Sequence, residues 1–201
     1  MPSWNTHLEV GNRLADKLSI KGKKRQEFLF WCILPDINNG YLNHPHVFKD
    51  HEETHYNYEG DGPTNFYNEN KVKIDEKDPM YLAYFFHLLT DCMFNEDFNS
   101  RIGNSQYKDR SEIELEDLKH NDFWLYGTNF RYILDFSREE AAALAEQANQ
   151  IKAVDINVDD ILEVIEIIKL DKINDAIRDG HYILYTKEDL DNLVDKVVEK
   201  I

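Results

Sequence analysis

An all-α fold, a multi-helix bundle around one buried central helix that carries His87 and Asp91, is what this chain predicts, on three observations. Residues 80 to 94 place Met, Tyr, Leu, Ala, Phe and Cys on nearly every side of a helix, and a helix apolar all round belongs in the middle of a fold. Elsewhere, apolar residues recur three or four apart behind good capping residues. Strand-like sequence is limited to Tyr182-Ile183-Leu184-Tyr185.

In chain order, a first helix is expected over residues 5–18, capped by Thr6 or Asn5, with His7, Val10, Leu14 and Leu18 on one face. After the basic turn from Ile20 to Arg25, a second apolar helix runs from Gln26 to Leu34. Pro35 disfavours helical geometry in the residue before it, and Asn39-Gly40 favours a turn, so Asp36 is expected on a loop just past a buried helix. If residues 48–56 are helical, His51 and His55 share a face, and 56–70, rich in Asn, Tyr, Gly and Glu, reads as a surface loop. The central helix starts at about Pro79, a good first-turn residue, and ends near Phe98. A polar connection over 99–110 leads to a helix with an acidic start over Ser111 to Asp122, which resumes toward Phe136. Then come an Ala-rich helix behind the capping box Ser137-Arg-Glu-Glu140, an amphipathic helix over Val158 to Leu170, a segment over Asp171 to Asp179 closed by Gly180, and a last helix from the Thr186-Lys-Glu-Asp189 box to Lys200.

The chain's 201 residues suffice for one domain with a sizeable core, divided here into a helical domain over 1–136 and a C-terminal packing segment or small appendage over 137–201. Hydrophobic residues make up 42%, with 11 Tyr, 11 Phe and 3 Trp, so a packed protein is expected rather than disorder. A net charge of −16 argues against duplex nucleic acid and anionic lipid surfaces as partners, although a metal ion can supply positive charge locally. No segment approaches the ~18 apolar residues of a membrane span, so no membrane insertion is expected. The N-terminus shows no secretion signal, and Cys32 and Cys92 form no Cys-x-x-Cys pair; a cytoplasmic protein with free thiols is the expectation.

The candidate chemistry sits on apolar or anchored elements: His7, Asp36, His55, and the pair His87 and Asp91, one turn apart on a single helix face. A buried carboxylate must be protonated, salt-bridged, well hydrogen-bonded or metal-bound, and there is no Lys or Arg between Lys77 and Arg101. Imidazole and carboxylate ligands without thiolates suit zinc, manganese or iron and leave room for a water made acidic by the ion. His44 and His51 compete with His55, because four of the eight histidines fall within residues 44–55.

The segments Pro2-Ser3-Trp4-Asn5-Thr6-His7, Ile33-Leu34-Pro35-Asp36-Ile37, Thr54-His55-Tyr56 and His87-Leu88-Leu89-Thr90-Asp91 resemble, in order and setting, the zinc-dependent phospholipase C and single-strand-specific zinc nuclease superfamily. The resemblance spans roughly the first 100 residues, about half the chain. It implies an all-helical phosphoesterase. Asp36, His55, His87 and Asp91 would form its first metal site, Asp91 would bridge to a second ion that His7 helps to hold, and Asp36 would position or deprotonate the attacking water. The family's downstream His-x-x-x-Glu motif has no counterpart, since Trp124 follows His120 and Tyr185 follows His181 at that spacing, and Asp97 stands where a further histidine is expected. The resemblance therefore implies a reduced site of one or two zinc ions.

The function expected is hydrolysis of a phosphoester through a metal-activated water, with a phosphorylated small molecule or lipid headgroup as partner. Two alternatives accompany it. A non-catalytic, metal-stabilised binding or regulatory module follows if the missing motif abolished catalysis. A His-Asp-type phosphohydrolase would need adjacent His-Asp residues, and the sequence has none.

Overall fold

A computed structural model of the protein describes residues 2–58, 60–103, 105–170 and 180–201. Every regular element among them is helical: α1 (Trp4–Lys17), α2 (Lys23–Trp31), α3 (Leu34–Ile37), α4 (His51–Thr54), α5 (Gly62–Asp75), α6 (Pro79–Gly103), α7 (Glu112–Gly127), α8 (Arg138–Ala148), α9 (Val158–Lys169) and α10 (Lys187–Val198). The helix expected over Asp171 to Asp179 lies outside the described residues. None of the described helices is long and apolar enough to cross a membrane.

The 25-residue α6 is the axis of the bundle and packs against α1, α2, α3, α5 and α10. Its buried residues run all round it, from Met80, Leu82, Tyr84 and Phe86 to Phe94 and Phe98, together with His87, Thr90 and Asp91. Around it Trp4, Leu8, Phe28, Phe30, Phe66 and Phe123 are sealed from solvent, each contributing on the order of 2 kcal/mol of apolar burial. Thr90, a helix interior residue with a hydroxyl to satisfy, returns its proton to the Phe86 carbonyl one turn back (2.6 Å).

Several boundaries differ from the sequence expectation, each for a local reason. The N-cap of α1 is Ser3 rather than Thr6 or Asn5; Ser3 is extended, and its carbonyl accepts from the Thr6 and His7 amides. The second helix ends at Trp31, and Pro35 then occupies the first turn of the short α3, where its missing N–H costs nothing. Asp36 thus sits on a helical turn, not a loop. Only His51–Thr54 of the 48–56 segment is helical.

The largest correction is α5, which replaces the expected surface loop. Asp61 accepts the Thr64 amide and Pro63 stands in the first turn, so the break at Gly60-Asp61-Gly62-Pro63 is a helix start. Its apolar face is narrow, with Phe66 and Ile74 turned inward, and Phe66 stacks on Tyr84 of α6 at 4.5 Å. In contrast, α7 stops at Gly127 and does not resume.

The C-terminal helices start where their capping boxes predict, at Ser137 and Thr186, and two further boxes stand at Ser111 and Asn157. Residues 182–185 form no strand. Instead the amides of Ile183, Leu184 and Tyr185 all donate to the carboxylate of Asp122 on α7, at 2.8, 2.6 and 2.8 Å. This clamp holds the segment leading into α10. In turn α10 lies on α1, α6 and α7, and Arg13 of α1 pairs with Asp191 at 2.9 Å and Asp195 at 2.6 Å. The helices α8 and α9 pack on each other, and Asp160 of α9 holds the 44–46 loop through the amide and ring of His46.

Candidate metal centre

Three short-range decisions of the chain bring the polar residues together. The turn α3 packs between α4 and α6 and delivers Asp36; the C-cap of α4 delivers His55; the buried face of α6 delivers His87 and Asp91. His7 enters from the first turns of α1. Gly62 permits the arrangement, because a Cβ there would meet the His55 carbonyl oxygen at 2.0 Å. Gly127 does the same for the start of α1, where a Cβ would lie 2.2 Å from Ser3 Oγ.

All five residues meet in one buried cluster. The Nε2 atom of His55 lies 3.4 Å from Asp36 Oδ1 and 3.2 Å from Asp91 Oδ2. The Nε2 atom of His87 lies 3.8 Å and 3.4 Å from the same two oxygens, and His7 Nε2 is 3.5 Å from Asp91 Oδ1. His7 stacks on His87 with ring centroids 3.8 Å apart. None of the five is more than 6% exposed.

The orientation of the rings is set from outside the cluster. His87 Nδ1 lies 2.8 Å from the Cys32 carbonyl, which can only accept, so this nitrogen carries the proton and Nε2 turns its lone pair inward. His55 Nδ1 is 3.0 Å from Thr54 Oγ1, a hydroxyl that can donate as well as accept, so this contact orients the ring without fixing which nitrogen carries its proton. Such outer partners are what metal-binding histidines use to fix their tautomer. Asp36 is held likewise: the Trp4 indole N–H donates to Oδ2 at 3.1 Å and leaves Oδ1 facing the cluster.

The consequence is a crowd of polar atoms with few protons among them. The two Nε2 atoms of His55 and His87 stand 3.1 Å apart. His87 Nε2 is an acceptor, so at that distance either His55 Nε2 carries a proton and donates to it, or a cation stands between or beside the two. Among the described residues, His7 Nδ1 and Nε2, Asp36 Oδ1, and both carboxylate oxygens of Asp91 are buried without a hydrogen-bond partner. Each would cost about 1–3 kcal/mol if left so, and more where it is charged. Either a proton or a metal ion resolves this. In the protein alone the proton goes to His55: burial would lower its pKa, but the Asp36 and Asp91 carboxylates override burial and raise it to about 9. Burial likewise opposes ionisation of Asp36, yet His87 and His55 hold its carboxyl down to about 2. That one proton is shared between Asp36 Oδ1 and Asp91 Oδ2, 3.4 and 3.2 Å from His55 Nε2, and leaves Asp91 Oδ1 and both nitrogens of His7 without a hydrogen-bond partner. A divalent ion accepts several such ligands at once, so the donor set fits a metal, and imidazole with carboxylate suits zinc, manganese or iron.

The geometry yields three groups of ligand atoms, in each of which all atoms lie within 4.8 Å of one another: Asp36, His55 and His87; His7, His87 and Asp91; and His51, His55 and Asp91. The third contains His51, which the sequence offers only as a substitute for His55; it stands beside His55, stacked on it at 3.7 Å, and not in its place. His44 is outside the cluster, with a side chain 94% exposed and paired with Glu163 at 2.9 Å. The indole of Trp4 and the Cys32 carbonyl were also invisible in the sequence as site components.

Two cavities reach the cluster. One, of about 260 Å³, runs past Asp36 and His51 between Trp4, Tyr41 and Trp124, with Lys119 on its wall. The other, of about 130 Å³, opens on His51, His55 and Asp91 and is edged by Asn57, Asp61 and Asn95. Comparison with protein-family profiles, with curated proteins and with solved structures finds no match to this chain.

Proposed function

We propose that this protein is a metal-dependent hydrolase of phosphoesters that uses a metal-activated water. The observation that carries the reading is the facing pair of His55 and His87 Nε2 atoms, 3.1 Å apart, flanked by Asp36 and Asp91 oxygens that have no hydrogen-bond partner. Asp36, His55, His87 and Asp91 are the residues that would hold the first ion, with Asp91 reaching toward a second beside His7. Zinc is the preferred ion, with manganese or iron as alternatives. Bound there, the ion would bring a water's pKa to about 7 and polarise a phosphoryl oxygen.

The chain's own groups do the rest. Asp36, fixed through Oδ2 by the Trp4 indole, presents Oδ1 to orient the attacking water and guide its proton. The larger cavity offers aromatic walls for the organic part of a phosphorylated small molecule or lipid headgroup, and its wall carries Lys119 paired with Glu116 at 2.5 Å. A cytoplasmic setting belongs to the same reading and is supported by Cys32 and Cys92, which are free thiols.

The test is hydrolysis of bis-p-nitrophenyl phosphate by zinc- or manganese-loaded protein. Turnover is expected, and Asp36→Asn is expected to lower it by about 10²–10⁴-fold, with metal per chain measured on the same sample. Bound metal without turnover on a broad phosphoester panel would instead favour the non-catalytic binding module.

A further inference from the structure

We infer that His51 is a metal ligand, and that with Asp91 it holds a divalent cation distinct from the one between His55 and His87, facing solvent and open to exchange. The inference rests on the metal-centre reading and adds to it which flank of the cluster is accessible.

The cluster is built as two stacked imidazole pairs. His7 lies on His87 at 3.8 Å and 13°, and His51 lies on His55 at 3.7 Å and 10°. The inner rings face each other, and the outer rings mark two flanks. The flanks differ in access. His7 is 1% exposed and lines neither of the two cavities described above. His51 is partly exposed and lines both of them. Metal sites with a structural role are closed, whereas sites that take a substrate keep coordination positions open. An ion on the His7 flank is closed in by protein; one on the His51 flank borders the 130 Å³ cavity.

Two further observations point to a ligand there. Asp91, buried on α6, has no hydrogen-bond partner for either oxygen, and ligand atoms of His51, His55 and Asp91 lie within 4.8 Å of one another. The cavity beside them is edged by Asn57, Asp61 and Asn95, side chains that can hydrogen-bond the waters of a hydrated cation, together with Pro63, Leu88 and Cys92. The class of ligand is therefore a hydrated divalent cation of the zinc or manganese type.

The test counts ions. Zinc is titrated into chelator-stripped wild-type, His51→Ala and His51→Asn proteins by calorimetry and by elemental analysis after dialysis, with circular dichroism to verify helix content. His51→Ala and His51→Asn are expected to bind one ion fewer per chain than wild type, or to hold the weaker ion at least ~10-fold less tightly, while retaining the tighter one. Equal stoichiometry and affinity in wild type and both variants overturns the assignment of His51 and leaves the metal centre standing. No metal in any of the three overturns both. A measurement on the unaltered protein stands beside these: with manganese bound, the exposed ion is expected to carry exchangeable water and raise the proton relaxation rate of the solvent. A relaxation rate no higher than that of a water-free ion would contradict the inference.

Discussion

Chelator-stripped protein is expected to melt about 8–16 °C below the same protein supplied with free zinc at a thousandfold over its dissociation constant. A ligand at that excess stabilises the folded state by about 4 kcal/mol, and a chain of this size shifts by about 2–4 °C per kcal/mol. The physical source is the set of acceptors enclosed by α1, α3, α4 and α6. Folding brings two carboxylates and three imidazoles out of water beside a stretch of α6 that has no Lys or Arg before Arg101. An ion repays that desolvation only in the folded state, so its binding energy appears as stability. Asp91→Asn keeps the shape of the side chain while removing the charge shared by the His7, His55 and His87 contacts. Its melting temperature is expected not to respond to zinc, which thermal scans with and without chelator would measure. A zinc-induced rise equal to that of wild type would remove Asp91 from the ligand set.

The second large effect lies away from the metal. Asp122→Ala is expected to destabilise the fold by about 3 kcal/mol, lowering the melting temperature by about 6–12 °C with or without zinc. Asp122 is fully buried and accepts the amides of Ile183, Leu184 and Tyr185, and Asn121 Nδ2 also donates to it, at 3.0 Å. Removing the carboxylate orphans three backbone donors at once, and these lead directly into the cap of α10. Because α10 closes against α1 and α6, the loss spreads to the core. Denaturant unfolding of Asp122→Ala and Asp122→Asn would measure it, with the Asn variant intermediate because its single amide oxygen still accepts. A loss below about 1 kcal/mol for Asp122→Ala would mean the segment finds other partners.

These two cases mark the limits of what the residues reveal in one dimension. The all-helical fold was legible because α6 is apolar on every side and because Ser137 and Thr186 head capping boxes. The helix α5 was not, since only Phe66 and Ile74 turn firmly inward; it forms because Asp61 and Pro63 start it and α6 receives it. The Asp122 clamp was read as a strand signal, because apolar β-branched and aromatic residues look alike whether their amides meet a neighbouring strand or a carboxylate. At the site, His7, Asp36, His55, His87 and Asp91 stood out by their apolar settings and order, and the structure brings them together. The separate fates of His44, His51 and His55 were illegible. Their spacing allows any of them to face inward, and only the position of His87, which meets His55 at 3.1 Å, distinguishes them. Nothing local announces that the Trp4 indole reaches Asp36, 32 residues away.

The central claim is that this cluster holds a metal ion, and elemental analysis tests it most directly. Wild-type protein and His87→Ala are purified, reconstituted with zinc, dialysed and measured for metal per chain. His87 is the ligand to remove, because its tautomer is fixed by the Cys32 carbonyl and its Nε2 faces both carboxylates. The account predicts at least one tightly held ion in wild type and a loss of that ion in His87→Ala, with His120→Ala and His181→Ala unchanged. Wild-type protein without bound transition metal after reconstitution, or His87→Ala with its full complement, would contradict it.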